Sequence, residues 1–399
     1  MRQKNIVSQL MNLLTLYPRI RIKEMLDCEK FYNLLVDNGI QFFTGVPDSL
    51  LKDFNAYIID NVHNDKHIIA ANEGASIALS AGHYLATKNI SLVYMQNSGL
   101  GNAINPLISL VDKDVYSIPL LLIIGWRGEP NEKDEPQHVK QGRITLKLLD
   151  TLEIPYDILS DNIENVKESF KKAFKYMNEH KAPYAFVVRK GIFKKYEYIK
   201  QIEQNFDLSR EEAIKIIVNN LDENDIIVST TGMTSRELFE YREEMKQDHD
   251  SDFLTVGSMG HASQIALGIA MSKPERQIFC LDGDGSVIMH MGSLGIIGSK
   301  STKNFKHIVL NNSAHGSVGG QPTVGDEIDI ISTALSCKYN IAYKVETKNE
   351  LIEKISLLRS VDGPALLEVR VNKEYRKELG RPTTSPKENK ETLMNFLSK

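Results

Sequence analysis

The sequence predicts an α/β protein built from two doubly wound parallel-sheet domains with no middle domain between them. Three observations carry this: short apolar, β-rich runs alternate with longer helical patterns along nearly the whole chain; the alternation occurs twice over stretches of similar length; and a charged, poorly periodic segment separates the two. In the first half the strand candidates are Gln41–Thr44, Ile68–Ala71, Ser91–Tyr94, Pro119–Ile124 and Tyr184–Val188, with helical stretches such as Glu73–Thr87 and Glu164–Glu179 between them. The second half offers Asp225–Ser229, Phe253–Val256, Gln277–Leu281, His307–Leu310 and Ala365–Val369. Apolar runs of this kind suit strands covered on both faces. The expected organisation is an N-terminal extension over 1–25, a first domain over 26–190, a linker over 191–208 and a second domain over 209–399.

Composition narrows the function classes. The chain has 399 residues, 42% hydrophobic and 25% charged, enough for two ordinary cores. Lys and Arg number 48 against 52 acidic residues, a net charge of −4, which gives no electrostatic reason to expect nucleic acid or an anionic membrane as partner. No apolar stretch approaches the ~20 residues of a membrane helix. Cys28, Cys280 and Cys337 are odd in number and far apart, a pattern that fits a reducing cytoplasm and argues against a disulfide scaffold or a structural zinc site. The apolar patch Leu10–Tyr17 is followed by Pro18, Arg19 and Arg21, so it reads as an amphipathic extension rather than a signal peptide.

In doubly wound sheets, ligands sit outside the carboxyl ends of the strands, and the strand-end loops here are unusual. Leu281-Asp282-Gly283-Asp284-Gly285-Ser286 closes one apolar run, and Asn311-Asn312-Ser313-Ala314 closes the next, with Asn312 28 residues after Asp284. Glycines let backbone N–H groups close on a phosphate, and Asp284 offers a hard anionic oxygen to a divalent cation. Asn312 adds a neutral oxygen, and the irregular loop after it a carbonyl; phosphate oxygens and water would complete coordination of Mg²⁺. Ser229-Thr230-Thr231-Gly232-Met233-Thr234-Ser235 puts a glycine and hydroxyls at a helix start, a seat for an anion, although N-capping explains the same hydroxyls.

A strand-end Gly-Asp-Gly followed about thirty residues later by Asn-Asn resembles the cofactor motif of the thiamine-diphosphate-dependent decarboxylase family. The likeness runs from about Asp27 to the end of the chain. It implies the two-domain thiamine-diphosphate-binding fold, with a pyrimidine-binding first domain and a diphosphate- and Mg²⁺-binding second domain. Asp284 and Asn312 are then the expected metal ligands, with the carbonyl of Ala314 as the third. Gly232, Met233, Thr234, Ser258, Gly285 and Ser286 are expected against the cofactor. Met259, 25 residues before Asp284, matches the bulky apolar residue that props the bent cofactor. Glu73, which opens the Ala-rich stretch after Ala70-Ala71-Asn72, matches the glutamate that exchanges a proton with the aminopyrimidine; a first-turn glutamate favoured by the helix dipole is its structural alternative.

The substrate loops resemble the family branch that acts on phosphonopyruvate. Gly45-Val46-Pro47-Asp48-Ser49-Leu50 places Ser49 at a substrate-carboxylate position, and Gln96-Asn97-Ser98-Gly99-Leu100-Gly101-Asn102 brings Asn97 and Ser98 to the next loop. Trp126-Arg127-Gly128-Glu129-Pro130, with His138, Lys140 and Arg143 beyond it, is expected to form one mobile loop whose cations, Arg127 and His138 first, meet an anionic 2-oxo acid. His315 is the candidate proton donor, with His138 as a second catalytic candidate. The implied reaction is loss of CO₂ from phosphonopyruvate through the cofactor ylide, giving phosphonoacetaldehyde for phosphonate biosynthesis. Sulfopyruvate is the alternative substrate, and a non-catalytic cofactor-binding protein the alternative of a different class. A nicotinamide oxidoreductase is disfavoured because no strand is followed by Gly-x-Gly-x-x-Gly with an acidic residue ~20 positions on. The family builds its site from two chains, so a homodimer at minimum is expected.

Overall fold

The computed structural model describes residues 25–200 and 206–399, and the expected extension therefore lies almost wholly outside the described residues. The first unit is a six-stranded parallel sheet of β1 (Phe43–Gly45), β2 (His67–Ile69), β3 (Leu92–Gln96), β4 (Leu121–Gly125), β5 (Tyr156–Ile158) and β6 (Tyr184–Val188), in the order β2-β1-β3-β4-β6-β5. The second sheet contains β7 (Ile226–Ser229), β8 (Asp252–Leu254), β9 (Ile278–Gly283), β10 (Phe305–Asn311), β13 (Ile341–Val345) and β14 (Ala365–Arg370), in the order β13-β14-β10-β9-β7-β8. Read from its other edge, the second sheet repeats the strand order of the first, so the chain is one topology used twice. A two-stranded antiparallel hairpin, β11 (Ala314–His315) with β12 (Gln321–Pro322), hangs from the loop after β10.

Residue type explains which strands are central. The runs LLIIG in β4, YAFVV in β6 and ALLEVR in β14 are buried at every position, because a parallel strand between helices has no solvent face. Alternate residues serve opposite cores. In β4, Leu121 and Ile123 join Phe31, Phe54 and Phe170 on one side, and Leu122 and Ile124 join Ile77 and Leu149 on the other. Likewise in β9, Phe279 and Leu281 face Ile217 and Leu238, while Ile278 and Cys280 face Ile297 and Val309.

Each expected strand lies within two residues of its observed bounds, and Tyr184–Val188 coincides with β6. β5 and β13 were not expected; both are edge strands and only partly buried over most of their length, so neither displays a continuous apolar run. Part of the expected linker is anchored: Leu26 and Phe193 form a parallel bridge, Phe193 is buried in the first core, and the Ile199 and Lys200 amides donate to Asp60. One expectation needs correction. His138, Lys140 and Arg143 are not on a loop but on the helix Pro136–Thr151, with Pro at its first position, where a fixed φ and a missing N–H favour helix initiation.

Candidate active site

The carboxyl ends of the two sheets face each other within the chain. Lys52 and Gln137 from the first unit approach Gly319 and Gly257 of the second, Asn72 donates to the Met289 carbonyl at 3.3 Å, and Arg381 pairs with Glu135. A cleft is thereby lined by loops from both halves.

Glu73 lies on the first wall. Asn72 caps its helix by accepting the Ala75 N–H at 2.9 Å, which fixes the first turn and directs the Glu73 side chain into the cleft. The carboxylate is buried and accepts a 2.8 Å bond from the Asn102 side-chain amide. Gly99 lies flat against it: a Cβ there would sit 2.5 Å from the Glu73 Cγ and Oε1. Across the cleft, His290 is held below its ordinary range by burial, against which the Glu73 charge acts. Its Nε2 has no hydrogen-bond partner among the described residues, and its ring packs 4.5 Å from that of His261.

The second wall carries the Gly-Asp-Gly and Asn-Asn loops on neighbouring strands. Asp284 opens a short helix directly after β9, is buried, and has its carboxyl pushed up to about 6 by burial. The Thr323 hydroxyl donates to it. Asn312 is buried, and its side-chain oxygen accepts the Ala314 N–H at 3.1 Å; Ala314 itself is buried in β11. Gly325 keeps space beside Asp284, since a Cβ there would fall 2.7 Å from Asp284 Oδ2 and from Asn311 Oδ1. Ser286 accepts the Gly260 N–H at 3.0 Å and lies 3.1 Å from the Thr230 hydroxyl. Gly285 faces the His315 ring at 3.1 Å from a hypothetical Cβ, and burial holds that imidazole down at about 4.

Gly232 has φ +98°, a conformation that suits glycine, and caps the helix Met233–Glu244 with no side-chain acceptor for its first N–H groups. Thr234 is buried in that first turn. Gly257 at φ +69° and Ser258 at φ +45° turn the chain so that partly buried Met259 follows.

These donors fit the cofactor. A buried carboxylate with a raised pKa is in an environment that a cation would relieve, the Asn311 amide oxygen stands beside it, and an uncapped helix start offers N–H groups to phosphate.

The expected substrate residues form a linked network. Arg127 makes a two-point contact with Asp134, at 2.8 and 2.5 Å, and donates to the Ser49 hydroxyl at 2.8 Å. Asn97 is buried and gives its amide to the Arg127 carbonyl and Thr145 hydroxyl, so it braces the Arg127 turn. Ser98 donates to Gln96, and Gln96 to the buried Asp48, whose carboxyl burial pushes up against that hydrogen bond. His138 has a buried Nδ1 without a hydrogen-bond partner among the described residues, and burial together with the Arg127 charge holds it down at about 4. Sequence reasoning did not single out Asn102, Asp134, Thr323 or His290 as site residues. The Asn102 position within Gln96-Asn97-Ser98-Gly99-Leu100-Gly101-Asn102, which enters the helix Leu100–Ser109, and the acidic Asp134-Glu135 pair were the available signals.

Two halves of one cleft, a glutamate on one and a Gly-Asp-Gly/Asn-Asn wall on the other, define a class. Residues 29–150 match the N-terminal TPP binding domain of thiamine pyrophosphate enzymes, and residues 230–369 match their C-terminal TPP binding domain. The chain belongs to the thiamine-pyrophosphate-dependent decarboxylases. It is 32% identical to the phosphonopyruvate decarboxylase of Streptomyces viridochromogenes, over 88% of this chain and 89% of that one. The phosphonopyruvate decarboxylase of Streptomyces hygroscopicus is 30% identical, over 88% of each chain. The sulfopyruvate decarboxylase of Methanosarcina acetivorans is 29% identical, over 82% of this chain and 86% of its own.

Proposed function

We propose that this chain decarboxylates phosphonopyruvate to phosphonoacetaldehyde and CO₂, with thiamine diphosphate and Mg²⁺ as cofactors. The observation that carries the reading is the cleft with Glu73 on one wall and Asp284 and Asn312 on the other, within a chain that resembles phosphonopyruvate decarboxylases through both halves. On this reading residues 26–190 form the pyrimidine-binding domain, 191–208 the linker and 209–399 the diphosphate-binding domain.

Bound thiamine diphosphate supplies the electron sink that lets a 2-oxo acid lose CO₂. Asp284, Asn312 and the Ala314 carbonyl hold the metal, and the uncapped Gly232 turn and Ser286 receive the diphosphate. Glu73, oriented by Asn102 and pressed by Gly99, holds the proton exchanged with the aminopyrimidine. His315, partly buried against Gly285 and held down at about 4 by desolvation, serves as proton donor only in its charged form, which a bound anionic substrate would favour. Ser49, oriented by Arg127, meets the substrate carboxylate. His138 lies on the same side, and its unpartnered Nδ1 suits a polar substrate group.

The test offers phosphonopyruvate, sulfopyruvate and pyruvate separately to the purified protein with both cofactors. A strong preference for phosphonopyruvate, reduced about 10²–10⁴-fold by Glu73→Gln, is expected; preference for sulfopyruvate would replace the substrate and keep the mechanism. Turnover unchanged by His315→Ala would remove His315 from the proton path.

The reading includes a homodimer in the reducing cytoplasm, with the three cysteines unpaired. Because one chain closes the cleft by itself in the structure, complementation is the informative measurement. Glu73→Gln and Asp284→Asn chains, each inactive, are mixed and allowed to exchange. Recovery of about a quarter of wild-type activity, the share expected for random pairing, marks sites shared between chains. No recovery despite exchange marks sites closed within one chain.

A further inference from the structure

The second sheet holds a cluster that the cofactor reading does not use. Cys280 and Asp282 are alternate residues of β9 and so leave it on the same face. His307 of β10 stands directly opposite Cys280 in the ladder between the two strands. The sulfur, a carboxylate oxygen and a ring nitrogen of the three lie within 4.8 Å of one another. Burial is complete: Cys280 and Asp282 are 0% exposed and His307 1%. His307 Nε2 and Asp282 Oδ2 stand 3.5 Å apart, yet neither makes a hydrogen bond among the described residues. On the other side of the ring, Nδ1 lies 3.2 Å from the buried Tyr339 hydroxyl.

Fully buried polar atoms are nearly always bonded, and leaving one unpaired is costly. Here two unpartnered atoms, from different strands, converge beside a thiol. The Tyr339 contact engages Nδ1 and leaves Nε2 turned inward, the way an outer hydrogen bond orients a metal-bound histidine.

We propose that Cys280, Asp282 and His307 form a binding site for a divalent transition ion of the zinc class, distinct from the Mg²⁺ site at Asp284. A thiol, an imidazole and a carboxylate are the donors that favour zinc or cobalt, whereas Mg²⁺ takes oxygen ligands alone. Bonds of about 2.0–2.3 Å require the three donors to draw together by roughly 1 Å, a movement within side-chain rotation. Binding converts the thiol to thiolate and releases its proton. The ion would tie β9 to β10 just before the strands deliver Asp284 and Asn312 to the cofactor.

The experiment uses the full chain with thiamine diphosphate and excess Mg²⁺, exposed to Co²⁺ or Zn²⁺ and then desalted. One equivalent of ion per chain is expected, with a near-ultraviolet thiolate-to-cobalt band for Co²⁺. Both are lost in Cys280→Ala and His307→Gln and retained in Cys337→Ser and Asp284→Asn, the last separating this site from the cofactor metal. A wild-type protein with native circular dichroism that retains neither ion overturns the proposal, whatever the variants do. So does a band that survives Cys280→Ala or disappears in Cys337→Ser.

Discussion

At Glu73 the decisive neighbours are a glycine and an amide. Gly99 has no positive φ, so a side chain there meets no backbone strain; it meets Glu73 itself at 2.5 Å. Gly99→Ala is therefore expected to push the carboxylate out of place, lowering kcat by about 10-fold or more at a stability cost of about 1–3 kcal/mol, the usual range for overpacking. Asn102→Ala removes the only side-chain donor to Oε2 recorded among the described residues and should lower kcat without that stability cost. Steady-state kinetics beside thermal melts separate the two. Equal loss of activity and of melting temperature in both variants would mean that Gly99 and Asn102 serve folding rather than Glu73.

The segment from β4 into the helix Pro136–Thr151 acts as a unit because Asp134 holds it. Its carboxylate accepts from Arg127 Nε and Nη2, from the Gly128 amide and from the Glu135 amide. Both charged side chains are largely shielded, at 19% and 15% exposure. Breaking such a pair leaves Arg127 without its partner and Ser49 without a fixed donor. Asp134→Ala should cost about 2–3 kcal/mol in urea unfolding and raise KM more than it lowers kcat, since Ser49 and Arg127 bind rather than react. A variant with unchanged KM would detach this network from substrate. Gly128 and Gly142 complete the unit: a Cβ on Gly128 would strike the His138 carbonyl, and one on Gly142 the Gly128 carbonyl, so no larger residue fits where the turn packs on the helix.

For the whole molecule, partly buried neutral histidines couple stability to pH. His67 bonds the Tyr94 hydroxyl at 2.8 Å, and burial lowers its pKa from 6.5 to about 4. Between those values the unfolded chain binds a proton that the folded one does not, so stability rises with pH through the window. The contribution is fully present above pH 6.5 and lost as pH falls toward about 4. His138 and His315 are depressed in the same sense. The melting temperature should therefore fall on acidification from pH 6.5 toward 4, and His67→Gln, which keeps an amide for Tyr94, should flatten part of that slope. An unchanged slope would place the sensitivity elsewhere. The same strand order in both sheets puts both sets of loops at carboxyl ends, and facing those ends together makes the cleft.

The central strands and the Gly-Asp-Gly and Asn-Asn loops were legible in the sequence because each rests on neighbours in the chain: a run of buried aliphatic residues, or a glycine that must sit beside a carboxylate. Glu73 was legible only through family resemblance, since a first-turn glutamate has an ordinary explanation in the helix dipole. The edge strands β5 and β13 were not, because partly exposed edges mix polar with apolar residues. Pairings between distant residues were not legible either. Asn102 reaches Glu73 from 29 residues away, Arg127 reaches Ser49 from 78, and Asn72 reaches Met289 from 217. The lone Cys280 gave no sign of a site, because its partner His307 is set opposite it by the β9–β10 register. By itself the sequence determined the fold class and which loop residues are candidates for holding cofactor and substrate, both of which rest on local properties of the chain. Which loops meet was decided only by tertiary structure, because strand order and register are fixed by packing between elements far apart in sequence.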